Sequence, residues 1–270
     1  MTETSHRTAH TRGPDGADRD DRGTPAEPAE PALIPAEDLP AWLRPVAEAA
    51  RTVRPEQLSR FLPPAEGGRQ SAVLVLFGEG SPESGDGPDV LLLQRAKTLR
   101  SHAGQPAFPG GAIDPGDTGP VAAALREANE ETGLDPSCVR VFGTLPPLYI
   151  PVSNFVVTPV LAWWRDTCPV APVDPAEVAR VVRVPIGDLA DPRNRARLKH
   201  PSGHLGPAFL VDGMVVWGFT AGLLDRTLNL AGWERPWDHT HEVELSEAEW
   251  RLARRGYDPY EETAAEPADS

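Results

Sequence analysis

Cysteine is nearly absent from this chain of 270 residues: Cys138 and Cys168 are the only two. Two are too few for a disulfide framework or a cysteine-based zinc site, so both are expected to be plain, buried or half-exposed thiols. Long apolar runs are lacking as well. No stretch approaches the roughly eighteen apolar residues that a membrane-spanning helix needs, and the first residues, MTETSHRTAH, are polar where a signal peptide would be apolar. These features lead us to expect a soluble, cytoplasmic protein. Positive charge is also short: 26 Lys and Arg face 40 Asp and Glu, a formal net charge of −14. Such a balance argues against nonspecific binding to nucleic acid or to an anionic membrane, since both need a basic face. A small anionic ligand stays allowed where a local basic patch and a metal ion receive it, and Arg95, Lys97 and Arg100 form such a patch.

What is present is 40% hydrophobic content, enough for one sizeable core. Residues 1–36 are rich in Pro, Gly, Asp, Arg and Thr and carry almost no large apolar side chain, so they read as a disordered tail. Residues 37–235 read as one globular domain, 236–258 as a helical extension and 259–270 as an acidic tail. Within the domain, two short helices are expected between Leu39 and Pro63. SAVLVLFGEG from Ser71 and DVLLLQRA from Asp89 read as buried strands joined by a hairpin-like loop. Further strands are expected in VRVFGTLPPLYI, NFVVTPVLAWW and VARVVRVP. A hairpin turns at Asp212-Gly213, followed by a helix from near Thr220 to Gly232. Ser246 and Glu249 make a capping box for a last helix, left open between an appendage and a homodimer contact. The pairs His200/His204 and His239/His241 lack a third ligand and read as surface residues.

The most informative run is GGAIDPGDTGPVAAALREANEETGL, Gly110 to Leu134. Pro120 suits the first position of a helix, Thr118 or Gly119 its N-cap, and Gly133 a left-handed C-cap. At about 100° per residue, Glu127, Glu130 and Glu131 share one face, while Val121, Leu125 and Ala128 lie on another that can pack on a sheet. Three crowded carboxylates repel one another, so a cation is expected among them. Oxygen ligands of this type suit Mg²⁺ or Mn²⁺.

This run resembles the Nudix hydrolase signature G-x5-E-x7-R-E-U-x-E-E-x-G-U. Arg126 to Leu134 matches its second half, whereas in the first half Asp117 stands near the Glu position with one extra residue before Arg126. Upstream, LLLQRAKTLRSHAGQPAFPGG, Leu91 to Gly111, is similar to the additional motif of the coenzyme A pyrophosphatase branch of that family, with Gln94 in place of the usual Thr. Weaker matches follow at Asn154–Pro159 and at Trp217-Gly218-Phe219-Thr220-Ala221.

The resemblance implies a Nudix-type α/β/α sandwich with a central mixed sheet. It also implies metal-dependent hydrolysis of the diphosphate bridge of a small nucleotide derivative, with Mg²⁺ or Mn²⁺ as cofactor. Coenzyme A or an acyl-CoA, cut to 3′,5′-ADP and a 4′-phosphopantetheine, is the expected substrate; ADP-ribose or NADH is the alternative. A noncatalytic nucleotide sensor is the reading from another class. Gly111, through its carbonyl, with Glu127, Glu130 and Glu131 would hold the metal. Arg126 would orient Glu127, Glu130 or Glu177 would serve as base, and Arg95, Arg100, His102 and Gln105 would receive the substrate. The part played by Asp117 stays open.

Overall fold

The computed structural model describes residue 1 and residues 32–81, 85–151, 153–200 and 203–254. Twelve strands and six α-helices are found among them. In chain order they are α1 (Arg44–Ala50), α2 (Pro55–Leu58), β1 (Arg69–Ser81), β2 (Gly85–Arg95), β3 (Pro106–Ala107), β4 (Gly110–Ala112), α3 (Pro120–Thr132), β5 (Val139–Thr144) and β6 (Leu148–Ile150). The chain continues through β7 (Phe155–Trp164), β8 (Val178–Pro185), α4 (Ile186–Ala190), β9 (Arg195–Lys199), β10 (Leu205–Val211), β11 (Met214–Val216), α5 (Gly218–Leu230), β12 (Glu242–Val243) and α6 (Glu247–Arg254).

The central sheet runs β3-β2-β1-β7-β5, with β4 on β1, β6 on β7 and β8 on β2. It is mixed: β1 and β7 are parallel, from Arg69↔Phe155 to Phe77↔Trp163, and the other pairs are antiparallel. Strand alternation explains how one sheet feeds two cores. Leu74 and Leu76 of β1 with Leu91 of β2 join Val121, Ala124, Ala128 and Leu134 of the α3 side. Val75 and Phe77 of β1 with Leu92 of β2 join the other side, under α1, α5 and the β10–β11 hairpin. Helices therefore cover both faces, which is the expected α/β/α sandwich.

A second sheet, β11-β10-β9-β12, carries the C-terminal part of the chain. Its hairpin turns at Asp212-Gly213, both with positive φ (50° and 68°), as the Asp-Gly pair predicts. The extension is continuous with this sheet, because β12 pairs in parallel with β9 and Trp250 of α6 packs on Trp217, ring centroids 5.3 Å apart. Arg195 anchors the same region. It is 1% exposed, its guanidinium lies between the rings of Phe209 and Trp237 at 4.6 Å from each, and it is ion-paired with Asp225.

Three boundaries shift from expectation. Residues 2–31 of the anticipated tail lie outside the described residues, but its last part is docked: Ile34 donates its N–H to Val141 O at 2.9 Å and packs on the core. The folded region thus begins before residue 37, because one apolar side chain and one strand-edge carbonyl suffice to hold it. The first two strands reach into the Gly-rich loop, of which 82–84 lie outside the described residues. Helix α5 starts at Gly218 and not at Thr220, since Gly218 (φ 65°) can make the sharp entry after extended Trp217. Residues 255–270, with the end of the last helix and the acidic tail, also lie outside. No helix among the described residues is long and apolar enough to cross a membrane.

Phe77 is 1% exposed and meets Trp233 edge-on at 6.1 Å and Phe142 at 6.4 Å. Phe77→Ala is expected to cost about 3–5 kcal/mol of unfolding free energy, read as a lowered urea midpoint at unchanged slope.

Candidate active site

Helix α3 carries the site, and its ends are set by the residues that punctuate it. Pro120 opens it after extended Gly119, and Gly133 closes it at φ 68°, its N–H bonded to Asn129 O. Val121, Ala124 and Ala128 bury one face against the sheet, which fixes the rotation that leaves Glu130 exposed and turns Arg126, Glu127 and Glu131 toward β4.

Arg126 is the hub. Its Nε and one terminal nitrogen fork onto the two oxygens of Asp117 at 3.1 and 3.0 Å. Nη1 donates to Glu127 Oε1 at 3.1 Å and to Glu130 Oε2 at 3.0 Å, and Nη2 also reaches Ala112 O at 3.0 Å. Five hydrogen bonds use all five N–H groups. Asp114 adds a fourth carboxylate at 3.6 Å. Asp117, only 7% exposed at its side chain, has its carboxyl lowered by the Arg126 hydrogen bonds, and Arg126 is raised in turn.

That answers the question the sequence left open: Asp117 positions Arg126. Its own position comes from the turn Asp114-Pro115-Gly116-Asp117, closed by Asp117 N–H on Asp114 O (2.9 Å) and by Asp114 N–H on Asp117 Oδ2 (2.8 Å). The Pro-Gly centre signals such a turn in the sequence; the pairing with a guanidinium nine residues away does not show there.

Glu127 is pressed against the backbone of β4. A Cβ on Gly111 would stand 2.4 Å from Glu127 Oε1, so only glycine lets this carboxylate lie beside the strand. Burial raises the Glu127 carboxyl, opposed by Arg126. Glu131 is deeper, 8% exposed, and accepts the Gly110 N–H at 2.9 Å. Burial pushes its carboxyl up to about 7 against the pull of Gly110 and Arg95, with the charges of Glu127 and Glu177 adding to the rise. Glu130 is the open member, its side chain 56% exposed. Among the described residues no three His, Cys, Asp or Glu side chains converge tightly enough to hold an ion as they stand. The donor set nevertheless suits one: every group is a hard oxygen, and a dication would offset the burial that disfavours the charged form of Glu131.

The loop after β2 brings the other expected residues alongside. Arg95 Nη1 lies 3.6 Å from Glu131 Oε1, and its backbone N–H bonds Gln105 O at 3.0 Å. The Gln105 side chain meets His102 Nδ1 at 3.1 Å, and burial lowers the imidazole's pKa. His102 (φ 53°) and Gly104 (φ 72°) give the loop its tight return. Arg100 extends from the same loop as an exposed side chain. Glu177 is exposed at the turn before β8; its carbonyl accepts the Ala96 N–H at 2.8 Å, and its charge is felt at Glu131. Gln94 has a part that the sequence did not indicate. It donates to Gly104 O at 3.1 Å and accepts from Arg180 Nε at 3.0 Å.

Comparison with known proteins places this geometry in a family setting. The family model described as NUDIX domain matches residues 68–205. The chain is similar to the protein named Uncharacterized Nudix hydrolase NudL of Cronobacter sakazakii, 42% identical over 171 residues, which cover 62% of this chain and 85% of that one. It is similar also to the NudL of Escherichia coli K12, 39% identical over 163 residues, covering 58% and 79%. Among solved structures, a Nudix hydrolase from M. smegmatis, RenU, aligns at a TM-score of 0.44 and 22% identity, covering 64% of this chain and 92% of that one.

The Arg126–Asp117 fork is measurable by itself. In a double-mutant cycle, Asp117→Ala and Arg126→Ala are each expected to lower unfolding free energy by about 1–3 kcal/mol. A coupling energy near zero would show that the fork does not hold the loop.

Proposed function

The chain belongs to the Nudix family and is a Nudix hydrolase, and on that premise we propose that it hydrolyses the diphosphate bridge of coenzyme A or an acyl-CoA, releasing 3′,5′-ADP and a (acyl-)4′-phosphopantetheine. The observation that carries the reading is the meeting of two sequence motifs in one place: Arg95 and the His102–Gln105 loop stand against Glu131, on the helix that also presents Glu127 and Glu130. The substrate class is supported by the resemblance of Leu91–Gly111 to the motif of the coenzyme A branch.

Nudix enzymes generally use divalent metal ions. Magnesium or manganese, held by Glu127, Glu130, Glu131 and the Gly111 carbonyl, would supply the positive charge that offsets developing negative charge on the phosphoryl oxygens. The side chains divide the remaining work. Arg126 holds the Glu127 and Glu130 carboxylates side by side through its two Nη1 bonds. The Glu127 carboxylate lies beside the Gly111 backbone, and Glu130, more than half exposed, is held next to it by the Arg126 bond. Arg95 and Arg100 offer guanidinium groups to the anionic diphosphate, and His102 with Gln105 shapes the edge of that approach. Glu130 and Glu177 are the two carboxylates open to solvent beside Glu131, and one of them takes the proton of the attacking water.

The test is a product-resolved assay of CoA, acetyl-CoA, ADP-ribose and NADH with Mg²⁺ or Mn²⁺. Formation of 3′,5′-ADP from the CoA substrates, abolished by EDTA and lowered at least about 100-fold by Glu127→Gln or Glu131→Gln, is the expected result. Cleavage of ADP-ribose with CoA left intact would overturn the substrate assignment. Comparing Glu130→Gln with Glu177→Gln assigns the base, whose loss costs about 10²–10⁴-fold in kcat. Gly111→Ala is expected to cost at least about tenfold in kcat/KM with little change in stability, because the added methyl displaces the carboxylate of Glu127 and no backbone.

A further inference from the structure

Against the loop after β2 lies a cavity of about 480 Å³ that hydrolysis of a diphosphate does not itself require. Its size falls within the roughly 300–1,000 Å³ of small-molecule sites. The loop after β2 forms one wall, the β10–β11 turn with Trp217 a second, and α6 the third. The apolar lining comes from Met214, Val215, Trp217, Leu252 and Ala253; neutral amides come from Gln94 and Gln105. Lys97 and Glu249 line it with opposite charges, so neither sign dominates.

The walls are tied together. Gln94 bonds Gly104 of the loop and Arg180, and Arg180 is paired at 2.8 Å with Asp212, next to Gly213 of the lining. Thr220 Oγ1 of α5 donates to Pro106 O at 3.1 Å. Helix α6 is fixed by Trp250 on Trp217 and by its capping box, Ser246 N–H on Glu249 Oε2 at 2.8 Å and Glu249 N–H on Ser246 Oγ at 3.3 Å. The cavity is also joined to the site, for Gln105 lines it while bonding His102 and, through its backbone carbonyl, Arg95 opposite Glu131.

We propose that this cavity receives the uncharged arm of the substrate beyond its diphosphate, an amide-bearing chain with an apolar end, and that α6 sets how long an arm is accepted. The inference rests on the coenzyme A reading above and deepens it. A charged group would lose its hydration here without a net opposite charge to replace it. A neutral chain keeps an amide hydrogen-bonded to the Gln105 side chain and buries its end on Leu252, Ala253 and Met214. On this account Ala253 and Leu252 are specificity-determining residues, and the C-terminal segment belongs to the substrate site.

The experiment compares kcat/KM for CoA, acetyl-CoA and octanoyl-CoA in the full chain and in two variants. Ala253→Phe, which fills the cavity, is expected to lower the octanoyl/acetyl ratio at least about tenfold, the scale of a methylene misfit in an apolar pocket. Leu252→Ala, which enlarges it, is expected to raise that ratio at least about threefold; it carries the test by itself should the larger side chain prevent folding. An unchanged ratio in every folded variant, or an equal fall for all three substrates, overturns the inference and leaves the hydrolase assignment standing. Failure of the unaltered protein to cleave any of the three sinks the coenzyme A reading, and the inference with it.

Discussion

Four carboxylates are gathered around a single guanidinium, and much of the site's geometry depends on that arrangement. Glu127 and Glu130 repel each other on one helix face, and a helix left with that repulsion would fray or turn its side chains apart. Arg126 resolves it from within, because a planar fork with five donors can serve two helix carboxylates and the Asp117 loop together. A lysine could neutralise one neighbour but could not hold three at fixed angles. The hub is local: it fixes Glu127 and Glu130 and leaves Glu131 to the Gly110 N–H and Arg95. The cluster as a whole remains strongly negative, which is the condition under which a hard dication binds well.

Much of this was legible in the sequence because it depends on residues with narrow backbone preferences. Pro120 and Gly133 bracket α3, the Asp212-Gly213 pair makes a hairpin, and continuous apolar runs in β1 and β2 announce strands with two buried faces. What escaped is side-chain pairing over distance. The acid nearest the expected position, Asp117, lies one residue out of register. Its use becomes plain only when the Asp114–Asp117 turn carries its carboxylate onto Arg126. Gln94 looked like a departure from a pattern; in space it links a loop to a hairpin turn through Arg180. Arg195 could not be singled out either. A fully buried arginine between two aromatic rings depends on Trp237, 42 residues later, being folded back over β9.

The same long-range pairing changes the standing of the C-terminal segment. By sequence, residues after 235 lie beyond the motifs and could be an appendage. In the structure a two-residue parallel ladder, Glu242↔Arg197 and Val243↔Leu198, starts the connection, and the His241 ring at 2.9 Å from Arg195 O reinforces it. Two hydrogen-bonded residues are a weak sheet; what stabilises the segment is the apolar contact of Leu245 and Trp250 with Leu198, Val215 and Trp217.

Charge then explains why the site faces the way it does. A chain with a net charge of −14 repels a polyanionic nucleotide over most of its surface. Basic groups are concentrated where β2 runs into its loop, with Arg95, Lys97 and Arg100 within six residues. Arg95 is the one bound on both sides, by Glu131 through its side chain and by Gln105 through its backbone. Any shift of the loop therefore moves a positive charge relative to the buried carboxylate, and any change of charge at Glu131 pulls on the loop. The loop and the helix form one electrostatic unit, coupled through the Arg95–Glu131 pair.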